Sequence, residues 1–223
     1  MPSSLTLYIA NRNYSSWSLR PWLLMRALDM PFKERQVRFS PGFHDEISRV
    51  SPAGRVPVLV AGDLVIWDSL AIVEYLAERF PLHGVWPTQP GDRARARSVC
   101  AEMHSGFGAL RQAMPMNIEA RLPGMGWSVR VQDDIDRIVS LWTGLRNAHA
   151  ARGPFLFGTF SAADAFFAPV VSRFETHQVA TPAVCDDYRR AVLALPAMQE
   201  WIAGALAEHS FVAEDEPYRR SRD

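Results

Sequence analysis

The chain has 223 residues, with 24 basic and 24 acidic side chains, 48% hydrophobic residues and two cysteines. That length fits one large domain or two modest ones and supplies its own core, so no metal or disulfide staple is required. A net charge of zero argues against nucleic-acid binding driven by counterion release and against a polybasic membrane anchor. Cys100 and Cys185 stand apart from any CxxC or Cys/His cluster, which leaves no disulfide scaffold and no structural metal site to expect. Met1–Tyr8 lacks a basic region followed by a long apolar run, and no stretch is apolar for the ~18 residues of a membrane span. The expectation is a soluble, cytoplasmic protein.

The first part of the chain alternates between two periods. Leu5-Thr-Leu-Tyr-Ile-Ala10 is a short apolar strand. Trp17, Pro21, Leu24 and Leu28 recur at helical spacing and predict a helix over 16–29, with Pro21 near the first turn, where its missing N–H costs least. Lys33–Arg38 reads as a second strand, and a polar stretch, helix or loop, runs to Val50. Val58–Val60 and Leu64–Trp67 flank Ala61-Gly62-Asp63 and read as a hairpin. A helix over 68–79 turns Leu70, Val73 and Leu76 inward. The order over residues 1–80 is therefore βαβ, then ββα.

Pro81, Gly84, Pro87, Pro90 and Gly91 mark a linker over 81–91. From 92 to 223 the reading is all-helical, with helices over 92–114, 129–152, 161–175, 186–193 and 197–208. Pro115 is sufficient to end the first of these. Met198, Trp201, Ile202, Ala205 and Leu206 form an amphipathic stripe on the last. Residues 218–222 read as a solvated basic tail.

Three places in the α/β half present groups suited to an anionic, peptide-like ligand. Tyr14-Ser-Ser-Trp-Ser18 follows a strand and opens a helix, whose unpaired amides and positive end favour an anion. Plain N-capping explains the same serines. In Arg55-Val-Pro-Val58 a proline enters a strand; a cis bond there would turn the Val56 backbone outward, whereas most X–Pro bonds are trans. Trp67-Asp-Ser69 stands at a second strand-to-helix junction, where capping is again the simpler account.

Taken together, these places, the proline-rich linker and the helical half resemble the glutathione transferase superfamily along nearly the whole chain. Ser15-Ser-Trp-Ser-Leu-Arg20 resembles the SSCSWR motif of the zeta class, with Trp17 where the cysteine stands. Ser51-Pro-Ala-Gly-Arg-Val-Pro-Val-Leu59 is similar to NP-x-x-x-VP-x-L. Asp68-Ser-Leu-Ala-Ile-Val-Glu-Tyr-Leu76 is similar to ES-x-AI-x-x-YL, with aspartate for glutamate. Ser161-Ala-Ala-Asp164 resembles the S-x-A-D capping box of the family's C-terminal domain and reads as structural.

The resemblance implies a thioredoxin-like α/β N-terminal domain, an all-α C-terminal bundle, a homodimer, and glutathione as co-substrate with no metal. Ser15 matches the serine that donates a hydrogen bond to the glutathione sulfur, with Ser16, Tyr14 and Tyr8 as competitors. Val56 matches the residue whose backbone pairs with the cysteinyl unit, and Pro57 the cis-proline. Asp68 and Ser69 match the pair that receives the γ-glutamyl group, and Arg55 and His44 are placed for the glycyl end. A free thiol has a pKa of ~8.5 and its thiolate is the nucleophile, so a hydroxyl donor and a helix N-terminus would activate it. Serine at this position forms no mixed disulfide, which points away from glutaredoxin-like reduction.

The partner is a small electrophile. Its expected pocket lies on the predicted 92–114 helix, at Met103, His104, Phe107, Arg111 and Met114, with Trp127 in the loop beyond. Ordinary core packing explains the Met and Phe members; His104 and Arg111 suit an acidic or carbonyl-bearing substrate better than a dry core. Two further readings stand beside conjugation: a glutathione-dependent cis-trans isomerase in which Arg111 or Arg121 grips a diacid, and a non-catalytic binding module on the same fold.

Overall fold

The computed structural model describes residues 4–222. In its α/β half, β1 (Leu5–Ile9), α1 (Ser16–Ala27) and β2 (Lys33–Gln36) form a crossover unit. A short α2 (Phe43–Ser48) precedes β3 (Val58–Ala61), β4 (Leu64–Trp67) and α3 (Ser69–Arg79). The sheet order is β2-β1-β3-β4. β1 runs parallel to β2, with Leu7 opposite Glu34, and antiparallel to β3, with Leu7 opposite Leu59. β3 and β4 are antiparallel, Val58 facing Trp67. This is the expected βαβ-ββα arrangement, and β1 shows its cause. Leu5, Leu7 and Ile9 are buried while Thr6 and Tyr8 are half-buried, the period-two pattern of a strand.

Pro21 is the sixth residue of α1, as the expected start at 16 implies, so the Trp17 carbonyl lacks its usual i+4 N–H donor. The helix also stops earlier than expected. Leu28 is its C-cap and Asp29 adopts φ 52°, a left-handed exit.

The helical half comprises α4 (Pro90–Ser105), α5 (Gly108–Ala113), α6 (Val129–His149), α7 (Ala162–His177), α8 (Ala183–Leu193) and α9 (Pro196–Ala207). Among the described residues beyond α3, β structure is limited to isolated bridges within 155–159. The helix expected over 92–114 is two helices. The chain turns at Gly106, extended at φ −99°, and Phe107, left-handed at φ 56°. A Cβ on Gly106 would lie 2.8 Å from the Glu102 carbonyl oxygen, so this approach belongs to glycine. The break is held partly from outside the segment and partly by a contact across the turn. Asp134 of α6 accepts the Leu110 N–H at 2.9 Å, and Arg111 donates to the His104 carbonyl at 3.1 Å. Both supply partners that the two helix ends lack.

α7 is the central helix. From Ala162 to Phe174 every residue is buried, as an all-round apolar helix requires, and it packs against α1, α4 and α8. Trp142 of α6 wedges against Phe167, Phe174 and Tyr188. Trp201 of α9 meets Trp22 of α1 edge to face, ring centroids 5.0 Å apart, and so joins the two halves.

Residues 208–216 return to the loop after β1. Glu208 accepts the Arg12 N–H at 2.6 Å and the Asn13 N–H at 3.3 Å. Ser210 Oγ accepts from Asn11 at 2.9 Å. Buried Glu216 accepts from the Tyr14 hydroxyl at 2.7 Å and from Asn117 at 2.8 Å, and pairs with Arg219. No helix among the described residues is long and apolar enough to cross a membrane.

Candidate functional site

Ser15 occupies the N-cap of α1, yet its side chain makes no capping bond. Ser15 Oγ instead donates to Ser18 Oγ at 2.8 Å, and Ser18 Oγ accepts the Ala10 N–H at 3.2 Å. Simple capping therefore does not account for the serine, and the first turn of α1 keeps its amide donors uncapped by a side chain. In front of it opens a cleft of about 470 Å³. Its α/β wall comprises Tyr14, Ser15, Ser16, Trp17, Phe39, Phe43, Arg55 and Val56, and the facing wall includes Arg111, Met116 and Arg173.

The expected site residues divide into those that line this cleft and those that do not. Ser15, Arg55, Val56 and Arg111 line it. Pro57 is buried behind Val56, and the Val56–Pro57 bond is cis. His44 is exposed on α2, beside Gly54. Asp68 and Ser69 stand at the start of α3. Asp68 Oδ1 caps the Leu70 N–H at 2.9 Å, and Oδ2 lies 3.3 Å from His104 Nε2. Ser69 Oγ is buried without a hydrogen-bond partner. Met103 and Phe107 are core residues and do not line the cleft; the turn at 106–107 separates Met103 from the face that carries Arg111. His104 touches the cleft through Trp17, ring centroids 5.1 Å apart. Its pKa is lowered by burial, which outweighs the pull of Asp68 and is reinforced by Arg20 and Arg111. Arg121 lines a separate, larger cavity of about 710 Å³ in the helical half, away from the serines.

Two of the competing hydroxyls are accounted for elsewhere. Tyr14 donates to Glu216, and burial together with that carboxylate pushes its pKa up to about 12. Tyr8 sits in β1, outside the cleft lining.

Arg173 is the functional feature that the sequence reading missed. It is 4% exposed, and it donates to the Met114 carbonyl at 2.9 Å, the Pro169 carbonyl at 3.4 Å and Ser16 Oγ at 3.3 Å. Among the described residues no carboxylate pairs with it. Burial, with help from Arg111, pulls its pKa down to about 10. The available signal was a lone cation in the apolar run from Ala165 to Phe174. Arg20 is a second buried cation, stacked 4.1 Å from Trp17 and 5.0 Å from Phe166, with Nε and Nη1 unpartnered. Burial, then Arg173 and Arg111, pull it down to about 9. Replacing a buried unpaired cation by an apolar side chain of similar length removes a desolvation cost. The stacking lost in exchange is about 1–2 kcal/mol. Arg20→Met is thus expected to raise stability by about 1 kcal/mol, read as a higher urea midpoint at unchanged m-value; a lower midpoint would mean that Arg20 is paired in solution.

A four-stranded βαβ-ββα sheet whose first helix opens at a serine, joined to a helical bundle across a cleft, is the architecture of glutathione transferases. Solved structures agree. A glutathione transferase homolog from Burkholderia, crystallised with bound glutathione, superposes with a TM-score of 0.70 at 22% identity, covering 92% of this chain and 99% of that one. Glutathione transferase Omega 1C from Trametes versicolor gives 0.73 at 20% identity over 97% and 98%. The family model for the glutathione S-transferase N-terminal domain matches residues 14–79. Glutathione S-transferase 1 of Dianthus caryophyllus is 30% identical over 172 residues, 75% of this chain and 76% of that one. Maleylacetoacetate isomerase of Rattus norvegicus is 28% identical over 200 residues, 86% and 89% of the two chains. The chain belongs to the glutathione S-transferase family.

Proposed function

We propose that the protein binds glutathione along the α/β wall of the cleft and directs its thiolate, held at the first turn of α1, at a small electrophile. The observation that carries this reading is the convergence of Ser15, Ser16, Arg55 and Val56 with Arg111 and Arg173 around one cleft. In this reading the Val56 backbone pairs with the cysteinyl unit. Arg55 takes the glycyl carboxylate, with His44 near the same end. The unpartnered hydroxyl of Ser69 offers a donor to the γ-glutamyl carboxylate, and Asp68 receives its ammonium. Ser15 acts as donor to sulfur when the Ser15–Ser18 pair reverses, Ser18 then donating to Ser15. A hydrogen bond to a charged group is worth about 1.5–3 kcal/mol, or roughly one to two units of thiol pKa.

Titration with glutathione at several pH values, followed by thiolate absorbance, tests the reading. Wild type is expected to hold thiolate near neutral pH, and Ser15→Ala to move its ionisation upward by about one unit or more. Absence of binding would reject the transferase reading and favour a binding module. Isomerisation is the second reading, favoured by the relatives named maleylacetoacetate isomerase and by Arg111 in the cleft. Product analysis with a cis-enediolone separates it from conjugation. The reading includes a homodimer, which sedimentation velocity checks.

A further inference from the structure

A buried guanidinium bonded only to carbonyls and a hydroxyl keeps its full charge without a counter-charge. The effective cost of burying one ion is several kcal/mol, so Arg173 is a poor stabiliser of the fold. Its surroundings increase that cost: Arg111 and Arg20 repel it, His177 on its own helix feels its charge, and Asp215, which also lines the cleft, forms no ion pair with it among the described residues. Its three partners come from three elements: Met114 at the end of α5, Pro169 on its own helix, and Ser16 in the first turn of α1. The head group is therefore fixed across the cleft wall, with one arm on the serine beside Ser15.

That arm has a directional consequence. Ser16 Oγ accepts from Arg173, and no acceptor for its own proton is present among the described residues. Ser15, by contrast, donates to Ser18. A hydroxyl that accepts from a cation is a stronger donor through its remaining proton. Ser16 lines the cleft, so this proton is available to an anion there.

We propose that Arg173 is a positioning residue for the thiolate: it holds Ser16 Oγ as a second donor to the glutathione sulfur and places a full positive charge directly behind that donor. The proposal rests on the glutathione reading above and deepens it. The proton of the thiol leaves to solvent as the sulfur becomes anionic, and no group on the protein is oxidised or reduced.

The test compares wild type with Arg173→Met, Arg173→Lys, Ser16→Ala and the Ser16→Ala/Arg173→Met double variant. Folding is checked by circular dichroism. The readout is the pH at which protein-bound glutathione ionises, together with kcat against pH for a chlorinated aromatic electrophile. Arg173→Met is expected to move the ionisation upward by about one to two units, the effect of losing a charge a few ångströms away at intermediate dielectric. It should lower kcat about tenfold or more at neutral pH and recover at alkaline pH, where the thiolate forms unaided. Arg173→Lys should restore part of the shift. Ser16→Ala, which leaves the Met114 and Pro169 contacts in place, should move ionisation in the same direction, and the double variant should fall short of the sum, the signature of two groups acting as one. An unmoved ionisation in folded Arg173→Met and Ser16→Ala overturns the proposal. So does a rise in KM confined to carboxylated electrophiles, which would assign Arg173 to the second substrate. Failure of the wild type to bind glutathione, or to ionise it near neutral pH, rejects the underlying reading before any variant is compared.

Discussion

Asp164→Ala is expected to lower the free energy of unfolding by about 2–4 kcal/mol, well above the ~1 kcal/mol of an ordinary helix cap. The difference comes from what the carboxylate does beyond its own helix. Asp164 is fully buried at the third position of α7 and completes a capping box with Ser161, accepting the Ser161 N–H at 2.9 Å. Its other oxygen accepts the Leu156 N–H at 3.0 Å, from the turn that leads into the helix. Alanine leaves both amides buried without an acceptor, at about 1–3 kcal/mol each. The pH dependence has an unusual sign. Burial pushes the Asp164 pKa from 3.8 up to about 6, against the opposing hydrogen bonds. The native state therefore binds a proton more tightly than the unfolded chain, and the contribution of Asp164 to stability falls as pH rises from about 4 to about 6. The gap between wild type and Asp164→Ala, measured by urea unfolding, should be wider at pH 4 than at pH 7. A gap that widens toward neutral pH would show a carboxylate stabilised by charge pairing.

Glu216→Ala is expected to release residues 208–222 from the β1–α1 loop at a cost of about 3 kcal/mol, the scale of breaking a buried pair by removing one partner. The side chain is 1% exposed and serves Tyr14, Asn117 and Arg219 together. Burial raises its pKa, but Arg219, Tyr14 and Asn117 outweigh burial and leave it lowered. A lowered carboxylate contributes stability above its unfolded pKa and loses it as pH falls through the folded value. The strap should thus loosen on acidification, opposite to Asp164. Two measurements check this. Limited proteolysis should cut within 208–222 faster in the variant. The tyrosinate titration of Tyr14, held up at about 12 by burial and Glu216, should move back toward the ordinary tyrosine range. Unchanged proteolysis would mean that the Glu208 and Ser210 contacts suffice.

What was legible in the sequence follows from how local each signal is. β1, the hairpin and α3 were readable because alternation, Ala61-Gly62-Asp63 and the Asp68 cap act within a few residues of the structure they fix. The division of 92–114 into α4 and α5 was not, because one of the groups that fix the turn at Gly106, the Asp134 carboxylate, lies on α6 outside the segment. The same loss of register moved Phe107 out of the expected pocket and into the core. At the candidate site, Ser15, Arg55 and Val56 lie on segments whose spacing is set locally. Arg173 reaches the same cleft from 157 residues beyond Ser16, and nothing around it in sequence distinguishes it from a stray charge on an apolar helix.

The bonds from Glu208 to Arg12 span 196 residues, and they give the site a place in time. At about 5–20 residues per second, a growing chain exposes its loop at 11–14 for roughly 10–40 s before the segment that anchors it exists. Arg173 and its Pro169 support, both on α7, are also late arrivals. A half-synthesised chain can form the sheet, yet it lacks the anchored loop and the facing cations together, so the cleft is assembled last. A ligand held by that cleft would bind only chains whose two halves have already docked, and its binding would stabilise the docked form alone.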